Sequence, residues 1–251
     1  MKRMENPRGN YAFLTGIAPY SSGVAALPGY EILHVILRRP LPYREGFELI
    51  DRHLEKMQRP RQALCGIQLR IPRALSFEGF KQFNAGYLDI LNNWDLPVGG
   101  INPVARTNVA PEVRAPQKAE LYAFSFTIPA KDNAVPPTFI IAGAGELRDG
   151  DLSPGNIVRA EETGPAAMRE KVRFVIDIMR ARLSGLQMEW ADVTTVDVYT
   201  VHPLHHLLAE ELLIPLEKAA RHAIRWYFSR PPISGLEYEM DMRGVQKEMW
   251  L

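Results

Sequence analysis

The chain has 251 residues, of which 46% are apolar and 24% charged, as in ordinary globular proteins with one large or two medium-sized domains. A net charge of +1, spread over scattered Lys and Arg, gives no electrostatic case for binding nucleic acid or an anionic membrane. The single cysteine, Cys65, excludes an intramolecular disulfide framework and is typical of a reducing compartment.

The sequence contains no segment that resembles a secretory signal or a membrane span. The basic N-terminus, Met1 to Pro7, is not followed by a long apolar run. Every apolar stretch is far shorter than the roughly 20 residues that a membrane-spanning helix needs. The sequence therefore predicts a cytoplasmic protein.

The first half of the chain alternates between strand and helix patterns. Apolar residues spaced by three or four indicate one face of a helix, and strict alternation indicates a strand. Ser76 is a suitable N-cap for the second helix. The predicted elements are a strand over Tyr11–Gly16, a turn over 18–23, a strand over Tyr30–Leu37, a helix through Phe47, Ile50, Leu54 and Met57, a strand over 63–71, a helix through Phe80, Phe83, Tyr87 and Leu91, a strand at Arg106 and a strand over Leu121–Ile128.

A polar, proline-rich stretch, Pro129–Pro137, is typical of a domain boundary, and the order of elements then resumes. The predicted elements are a strand over Thr138–Ala142, a turn over Arg148–Asp151, a helix from Met168 to Leu183, a strand over Asp192–Val201, a helix from about Pro203 to Arg221 with a candidate kink at Pro215, a strand at Arg225 and a strand over Leu236–Met242. Each half reads as β-β-α-β-α-β-β. We therefore predict an α+β protein with two tandem domains, 1–130 and 137–251, each an antiparallel or mixed sheet with two helices on one face.

Both halves also carry an arginine in a strand with a glutamate 14 residues later. These pairs are Arg106 with Glu120 and Arg225 with Glu239. The equal spacing suggests that a geometry was duplicated along with the elements. The pairs could equally be cross-strand ion pairs that contribute little to stability.

Three motifs of the first half resemble the YjgF/RidA family of reactive-intermediate deaminases, which have a chorismate-mutase-like fold. Residues 18–24, Ala-Pro-Tyr-Ser-Ser-Gly-Val, are similar to that family's Gly-Pro-Tyr-Ser-Gln-Ala-Val. Residues 80–87 resemble its Phe-x-x-x-Asn-x-x-Tyr helix, and residues 104–107, Val-Ala-Arg-Thr, its Pro-Ala-Arg-Ser/Thr strand. In order and spacing, the resemblance covers the whole chain as two copies of the fold.

The resemblance implies which residues form the site. In the family the arginine holds a substrate carboxylate, for which a guanidinium is well suited, and the glutamate positions water. It implies Arg106 and Glu120 as catalytic residues, and it implies as substrate-binding residues Tyr20, Asn84, Asn108, Arg225 and Glu239. The family's Ser-Gly is absent near His34 and only loosely echoed by Ala142–Gly145, and the second copy lacks the Pro-Tyr turn and the Asn-x-x-Tyr helix. The first copy is therefore favoured as the site.

The predicted function is hydrolysis of an enamine or imine of a 2-oxo acid to a carbonyl and ammonia, without metal or cofactor. A non-catalytic member that binds a carboxylate metabolite, or serves as a structural or regulatory scaffold, remains the alternative. The sequence shows no basic groove that would support ribonuclease activity. The histidines at 202, 205 and 206 are interpreted as a solvated or packing cluster rather than a metal site. Family members close three copies of the fold into a ring, so two copies per chain favour a trimer of chains.

Overall fold

A computed structural model describes residues 1–132, 136–148 and 152–251. Parts of the predicted linker (133–135) and of the predicted turn (149–151) lie outside the described residues. The helices are α1 (Tyr43–Lys56), α2 (Phe77–Asn93) and α3 (Pro165–Leu186). The strands are β1 (Arg3–Asn6), β2 (Tyr11–Leu14), β3 (Gly23–Ala26), β4 (Tyr30–Pro42), β5 (Leu64–Arg70), β6 (Ala105–Pro111), β7 (Glu120–Pro129), β8 (Phe139–Gly145), β9 (Thr195–Tyr199), β10 (Arg225–Tyr227), β11 (Ser229–Arg230), β12 (Glu239–Gly244) and β13 (Lys247–Trp250).

A six-stranded sheet in the order β11-β6-β5-β7-β4-β13 carries α1 and α2 on one face. The helices bury Phe47, Ile50, Tyr87 and Leu91 in one apolar cluster with strand residues such as Phe124, as the helical spacing predicts. The Oγ of Ser76 accepts a hydrogen bond from the backbone N–H of Gly79 at the start of α2, so the predicted cap is present.

A seven-stranded sheet in the order β1-β2-β3-β8-β12-β9-β10 packs its outer face against α3. The predicted second helix, Pro203–Arg221, is wrong. Leu208–Leu213 forms a short π-helical turn and Glu217–His222 a 3-10 turn. Pro215, which lies between them, has no backbone N–H to donate and its ring opposes a continuous helix.

The strands do not pair according to the predicted boundary near residue 130. β3 pairs with β8, so β1–β3 belong to the sheet built mainly from the second half. In the other direction, β11 pairs with β6, and β13 pairs in parallel with β4. The mixed α+β architecture with two sheets agrees with the predicted fold class. The division into domains 1–130 and 137–251, and the tandem duplication, stay predictions.

The two sheets face each other through a third apolar cluster. It contains Tyr11, Phe13 and Ala142 from the seven-stranded sheet together with Ile32 and Ala105 from the six-stranded sheet. The layers are therefore helices, sheet, sheet and helix. Strand alternation predicts that Cys65 lies on the same face of β5 as Ile67, but it lies in this inter-sheet cluster instead. The reason is that the register of β5 against β7 shifts at this residue.

Candidate active site

A cavity of about 500 Å³ lies between strands of both sheets and α3. This volume is within the range of small-molecule sites. Its polar lining combines Arg106 and Asn108 of β6 with Glu239 of β12, Arg182 of α3 and Tyr20 from the loop before β3. The first half of the chain thus supplies some of these residues and the second half the others.

Arg106 is held in a cage of aromatic rings and is only 2% exposed. Its guanidinium carbon lies 4.5 Å from the ring centroid of Tyr87 and 5.0 Å from that of Tyr20, with Phe80 and Phe83 at 5.8 Å. Burial lowers the pKa of Arg106 from its usual value. Cation–π contacts of this kind offset part of the cost of burying the charge.

α2 orients this arginine. Phe80, Asn84 and Tyr87 follow the helical spacing i, i+4 and i+7, so one face of α2 presents all three side chains to Arg106. The Nη2 of Arg106 donates to Oδ1 of Asn84 at 2.6 Å. The buried Nη1 has no hydrogen-bond partner among the described residues. One end of the guanidinium is therefore anchored by the protein, and the other can receive an anion.

Asn108 follows Arg106 by two residues on the same strand and lines the same cavity. It is 3% exposed, and neither Oδ1 nor Nδ2 has a hydrogen-bond partner in the described part of the chain. Leaving a buried polar group unpaired costs about 1–3 kcal/mol. A bound ligand with both a donor and an acceptor would offset this cost.

Glu239 begins β12 and is 3% exposed. A Cβ atom on Gly143 of the neighbouring β8 would overlap its Oε1, so the carboxyl group occupies space that only glycine leaves open. Burial raises the pKa of Glu239 well above its usual value, and the charges of Asp241 and Glu146 add to the rise. The neutral acid form consequently persists to higher pH than in an exposed glutamate.

A buried ion pair supports the segment that leads into β12. Lys171 Nζ lies 3.0 Å from Glu146 Oε1, and both side chains are fully buried. The Glu146 carboxylate also accepts hydrogen bonds from the backbone N–H groups of Glu237, at 2.6 Å, and Tyr238, at 3.1 Å. The backbone just before Glu239 is thereby tied to α3.

Comparison with known proteins gives the family of this chain. The model of the family "2-aminomuconate deaminase CnbZ" matches residues 3–249. The chain belongs to this family. A curated relative, the 2-amino-5-chloromuconate deaminase of Comamonas testosteroni, is 39% identical over 241 residues, which cover 96% of this chain and 95% of the relative. The resemblance to a deaminase family that the sequence motifs indicate is confirmed.

Two solved structures show weaker likenesses. A chorismatase crystal structure matches with a TM-score of 0.47 and 12% identity, covering 89% of this chain and 77% of that one. The YjgF gene product of E. coli matches with a TM-score of 0.31 and 12% identity, covering 44% of this chain and 81% of that one. The family membership rests on the two sequence matches.

The structure brings Tyr20, Asn84, Arg106, Asn108 and Glu239 together, as residues that line the cavity or contact Arg106. Tyr20 is partly buried, and burial raises its pKa while the charge of Arg106 opposes the rise. Part of the predicted site is therefore one cluster.

The structure does not bring Glu120 or Arg225 to this cavity, and the two predicted Arg–Glu pairs do not form. β5 separates β6 from β7, so Arg106 lies opposite Ile67 while Glu120 lies opposite Arg70. Arg225 is on the edge strand β10, half-exposed, 3.5 Å from Glu248. The glutamate that shares the cavity with Arg106 is Glu239.

Sequence reasoning missed Arg182 and gave Gly143 no role of its own. Arg182 lies three residues after Met179 of the predicted apolar stripe, a position at the border of the buried face that no motif distinguishes. Its Nη1 donates to the backbone oxygen of Ala142 at 2.7 Å. Gly143 lies in the segment 142–145 that loosely resembles the family's Ser-Gly motif. Its lack of a side chain is the signal that could have indicated a close approach by another residue.

Two of the histidines near residue 205 have protein partners. His202 Nε2 lies 2.7 Å from Glu237 Oε2, and the His205 ring contacts Trp226 edge-on. Within the described ranges, no group of three or more His, Cys, Asp or Glu side chains could hold a metal ion. In the same ranges, none of the helices combines the length and the apolar character needed to cross a membrane.

Proposed function

We propose that this protein hydrolyses a 2-enamino or 2-imino carboxylate of the 2-aminomuconate type, releasing ammonia and a 2-oxo acid. The observation that carries the proposal is the joint placement of Arg106, Asn108 and Glu239 on one cavity, with unpartnered Nη1, Oδ1 and Nδ2 atoms. The matching family and the 39% identical relative are deaminases by name, which supports the release of ammonia in this proposal.

Each of these residues binds a different part of the substrate. Nη1 of Arg106 binds the carboxylate next to the reacting carbon, while Asn84 and the aromatic cage hold the guanidinium in place. Oδ1 of Asn108 accepts a hydrogen bond from the substrate nitrogen, and its Nδ2 donates to the attacking water. These contacts fix the C2 carbon of the substrate close to Glu239.

The carboxyl group of Glu239 acts first as an acid and then as a base. In its neutral form it protonates C3 of the enamine, so that C2 becomes an iminium carbon. The resulting carboxylate takes a proton from the water that attacks C2, giving a carbinolamine. Glu239 then returns this proton to the nitrogen, the C–N bond breaks with release of ammonia, and the remaining hydroxyl proton goes back to the carboxylate.

The balance is one enamine and one water consumed, with one 2-oxo acid and one ammonia formed. Every step is a proton transfer or an addition of water, so the route needs no cofactor. The trimer and the cytoplasmic location remain predictions, and light scattering of the purified protein would test the trimer.

The test is ammonia release from freshly generated 2-aminomuconate by the wild type, Arg106→Gln and Arg225→Gln. The two variants make the same change at the two predicted arginines, one inside the cavity and one on an edge strand. Loss of a charge-assisted hydrogen bond should lower kcat/KM for Arg106→Gln by about 10- to 100-fold. Arg225→Gln should stay close to the wild type.

A wild-type rate no higher than the uncatalysed rate would refute the enzymatic proposal. Equal losses in both variants would refute the assignment of the site to Arg106. Binding of 2-oxobutanoate that depends on Arg106, without any turnover, would support the alternative of a non-catalytic carboxylate-binding protein.

A further inference from the structure

We infer that Thr107 is a positioning residue for Glu239: its hydroxyl group links the strand of Arg106 to β8 and β12, and so holds the carboxyl group of Glu239 at the cavity. The inference rests on the proposed function, in which Glu239 transfers the protons. Thr107 lies between Arg106 and Asn108 on β6 but does not line the cavity itself. The proposed reaction gives it no other role.

The strand next to Glu239 has a β-bulge. The register of β12 against β8 shifts within residues 240–242, where Ala142 and Gly143 together lie opposite the single residue Asp241. A bulge disrupts the ladder of hydrogen bonds locally, and bulges beside active sites commonly redirect a side chain. The position of this bulge therefore needs support from outside the sheet.

Thr107 supplies such support from the opposite sheet. Its Oγ1 accepts a hydrogen bond from the backbone N–H of Gly143 at 3.0 Å. A Cβ atom built on Gly143 would lie 2.2 Å from Oε1 of Glu239 and 3.0 Å from Cγ2 of Thr107, so the carboxyl group and the threonine methyl group occupy adjacent space. The space for Glu239 thus depends on where the bulge lies, and this hydrogen bond fixes the bulge relative to β6.

The same hydroxyl group acts on the strand that carries Glu239. Asp241 lies two residues after Glu239 and, by strand alternation, on the same face of β12. Burial and the charge of Asp197 raise the pKa of Asp241, and hydrogen bonding to the Thr107 hydroxyl group opposes the rise. A hydroxyl group can donate one hydrogen bond while it accepts another, so Thr107 can serve both strands at once.

The surroundings of Glu239 give the direction in which its pKa should move when the Thr107 hydroxyl group is lost. Burial is the main cause of its raised pKa, and the charge of Asp241 is the next. A less tightly held carboxyl group and a less ionised Asp241 both lower the pKa of Glu239. The titratable groups that act on Glu239 or Asp241 are Glu146 after β8, Arg182 of α3, Arg106 of β6, Tyr20 before β3, Asp197 and Tyr199 of β9, and Arg243 of β12.

The test compares Thr107→Val with Thr107→Ser, with ammonia release from 2-aminomuconate as the assay. Valine keeps nearly the shape of threonine and removes the hydroxyl group, whereas serine keeps the hydroxyl group. We expect Thr107→Val to lower kcat about 10- to 100-fold with little change in KM, because Arg106 still binds the carboxylate while the acid is misplaced. Thr107→Ser should stay close to the wild type.

The matched control is Thr138→Val. Oγ1 of Thr138 accepts a hydrogen bond from the backbone N–H of Ile32 at 2.7 Å, so it also links the two sheets, but before the start of β8 and away from the cavity. Both valine variants should unfold at lower denaturant concentration than the wild type, and only Thr107→Val should lose kcat. Should Thr107→Val fail to fold, Thr107→Ala is compared with Thr107→Ser, since these two differ only in the hydroxyl group.

A double-mutant comparison separates positioning from general structural support. In the Glu239→Gln background, Thr107→Val should cause no further loss of kcat, because the group that it positions is already absent. An equal fold loss in both backgrounds would overturn the inference. An unchanged kcat in Thr107→Val, or a loss of the same size in Thr107→Ser or Thr138→Val, would overturn it too.

A carbon-NMR titration with carboxyl-labelled glutamate makes the outcome separable from that of the proposed function. The signal of Glu239 is the one that Glu239→Gln removes. Its pKa should be lower in Thr107→Val than in the wild type and unchanged in Thr138→Val. This result in a protein that releases no ammonia would retain the role of Thr107 and refute the deaminase. Ammonia release with the same Glu239 pKa in both valine variants would do the reverse.

Discussion

Glu239→Gln tests the proposed reaction most directly, because it removes the acid and base function with little change of shape. The amide has nearly the same volume as the carboxyl group, so it fits the space beside Gly143. It can neither protonate C3 nor take a proton from water. General acid–base catalysis contributes about 10²- to 10⁴-fold to rates, and we expect kcat/KM for 2-aminomuconate to fall by this factor.

The same variant has a stability signature whose sign follows from burial. The pKa of Glu239 is raised in the folded state, so the group's contribution to stability is present below its unfolded pKa and is lost as pH rises through its folded pKa. Glutamine stays neutral and loses nothing. Glu239→Gln should match the wild type near pH 4 and exceed it at pH 8, the gap growing by up to about 1.4 kcal/mol per pH unit between the two pKa values.

The assays are steady-state kinetics across pH and guanidinium unfolding at both pH values, with Glu120→Gln measured in parallel. In the wild type, kcat/KM should decline as pH rises through the pKa of Glu239, because the first step uses the neutral acid. Activity of Glu239→Gln within about threefold of the wild type, combined with a large loss in Glu120→Gln, would reverse the assignment of the two glutamates. A Glu239→Gln protein less stable than the wild type at pH 8 would refute the burial argument.

Three further substitutions probe the support of the site. Arg106→Lys keeps the charge but loses the planar guanidinium, which can contact Asn84 of α2 and the substrate carboxylate at the same time. We expect kcat/KM to fall about 10- to 100-fold, mainly through a higher KM. Lys171→Met leaves Glu146 buried without its cation, and denaturant unfolding should show a loss of about 3–5 kcal/mol. Gly143→Ala places a methyl group against the carboxyl of Glu239 and should displace it. We expect a lower kcat together with a stability loss of about 1–3 kcal/mol, both measured on the same preparation.

Sequence patterns predicted the elements whose stabilisation is mostly local. The amphipathic spacing and the Ser76 cap indicated α2, and the apolar stripe from Met168 indicated α3. The short strands β1, β11 and β13 have no periodicity long enough to detect, since their pairing is decided by distant partners. The prediction of a helix after Pro203 was wrong for a related reason. The amphipathic pattern alone does not show that the segment breaks into two short turns on either side of Pro215.

In the candidate site too, local motifs predicted some residues, and tertiary structure determines the others. The motifs around Tyr20, Asn84 and Arg106 are each short and contiguous. Tyr20 and Arg106 line one cavity, and Asn84 is hydrogen-bonded to Arg106. The presence of Glu239 and Arg182 in the cavity that Arg106 lines depends on how the sheets and α3 assemble. Neither could be read from spacing, because tertiary pairing, and not sequence distance, brings β12 and α3 to the strand that carries Arg106.

The equal spacing of the two Arg–Glu pairs does not produce equal pairs, and the strand exchange explains why. β3 adds to β8, β11 adds to β6, and the Oγ1 of Thr107 accepts a hydrogen bond from the N–H of Gly143 at 3.0 Å, so β6 and β8 lie against each other across the sandwich. This contact carries β12, the neighbour of β8, and with it Glu239 towards the cavity that Arg106 lines. The other members, Glu120 and Arg225, do not line this cavity, and Arg225 is half-exposed on the edge strand β10. A single cavity lined by residues of both halves, as in the proposed function, would account for motifs that are strong around Arg106 and weak around Arg225.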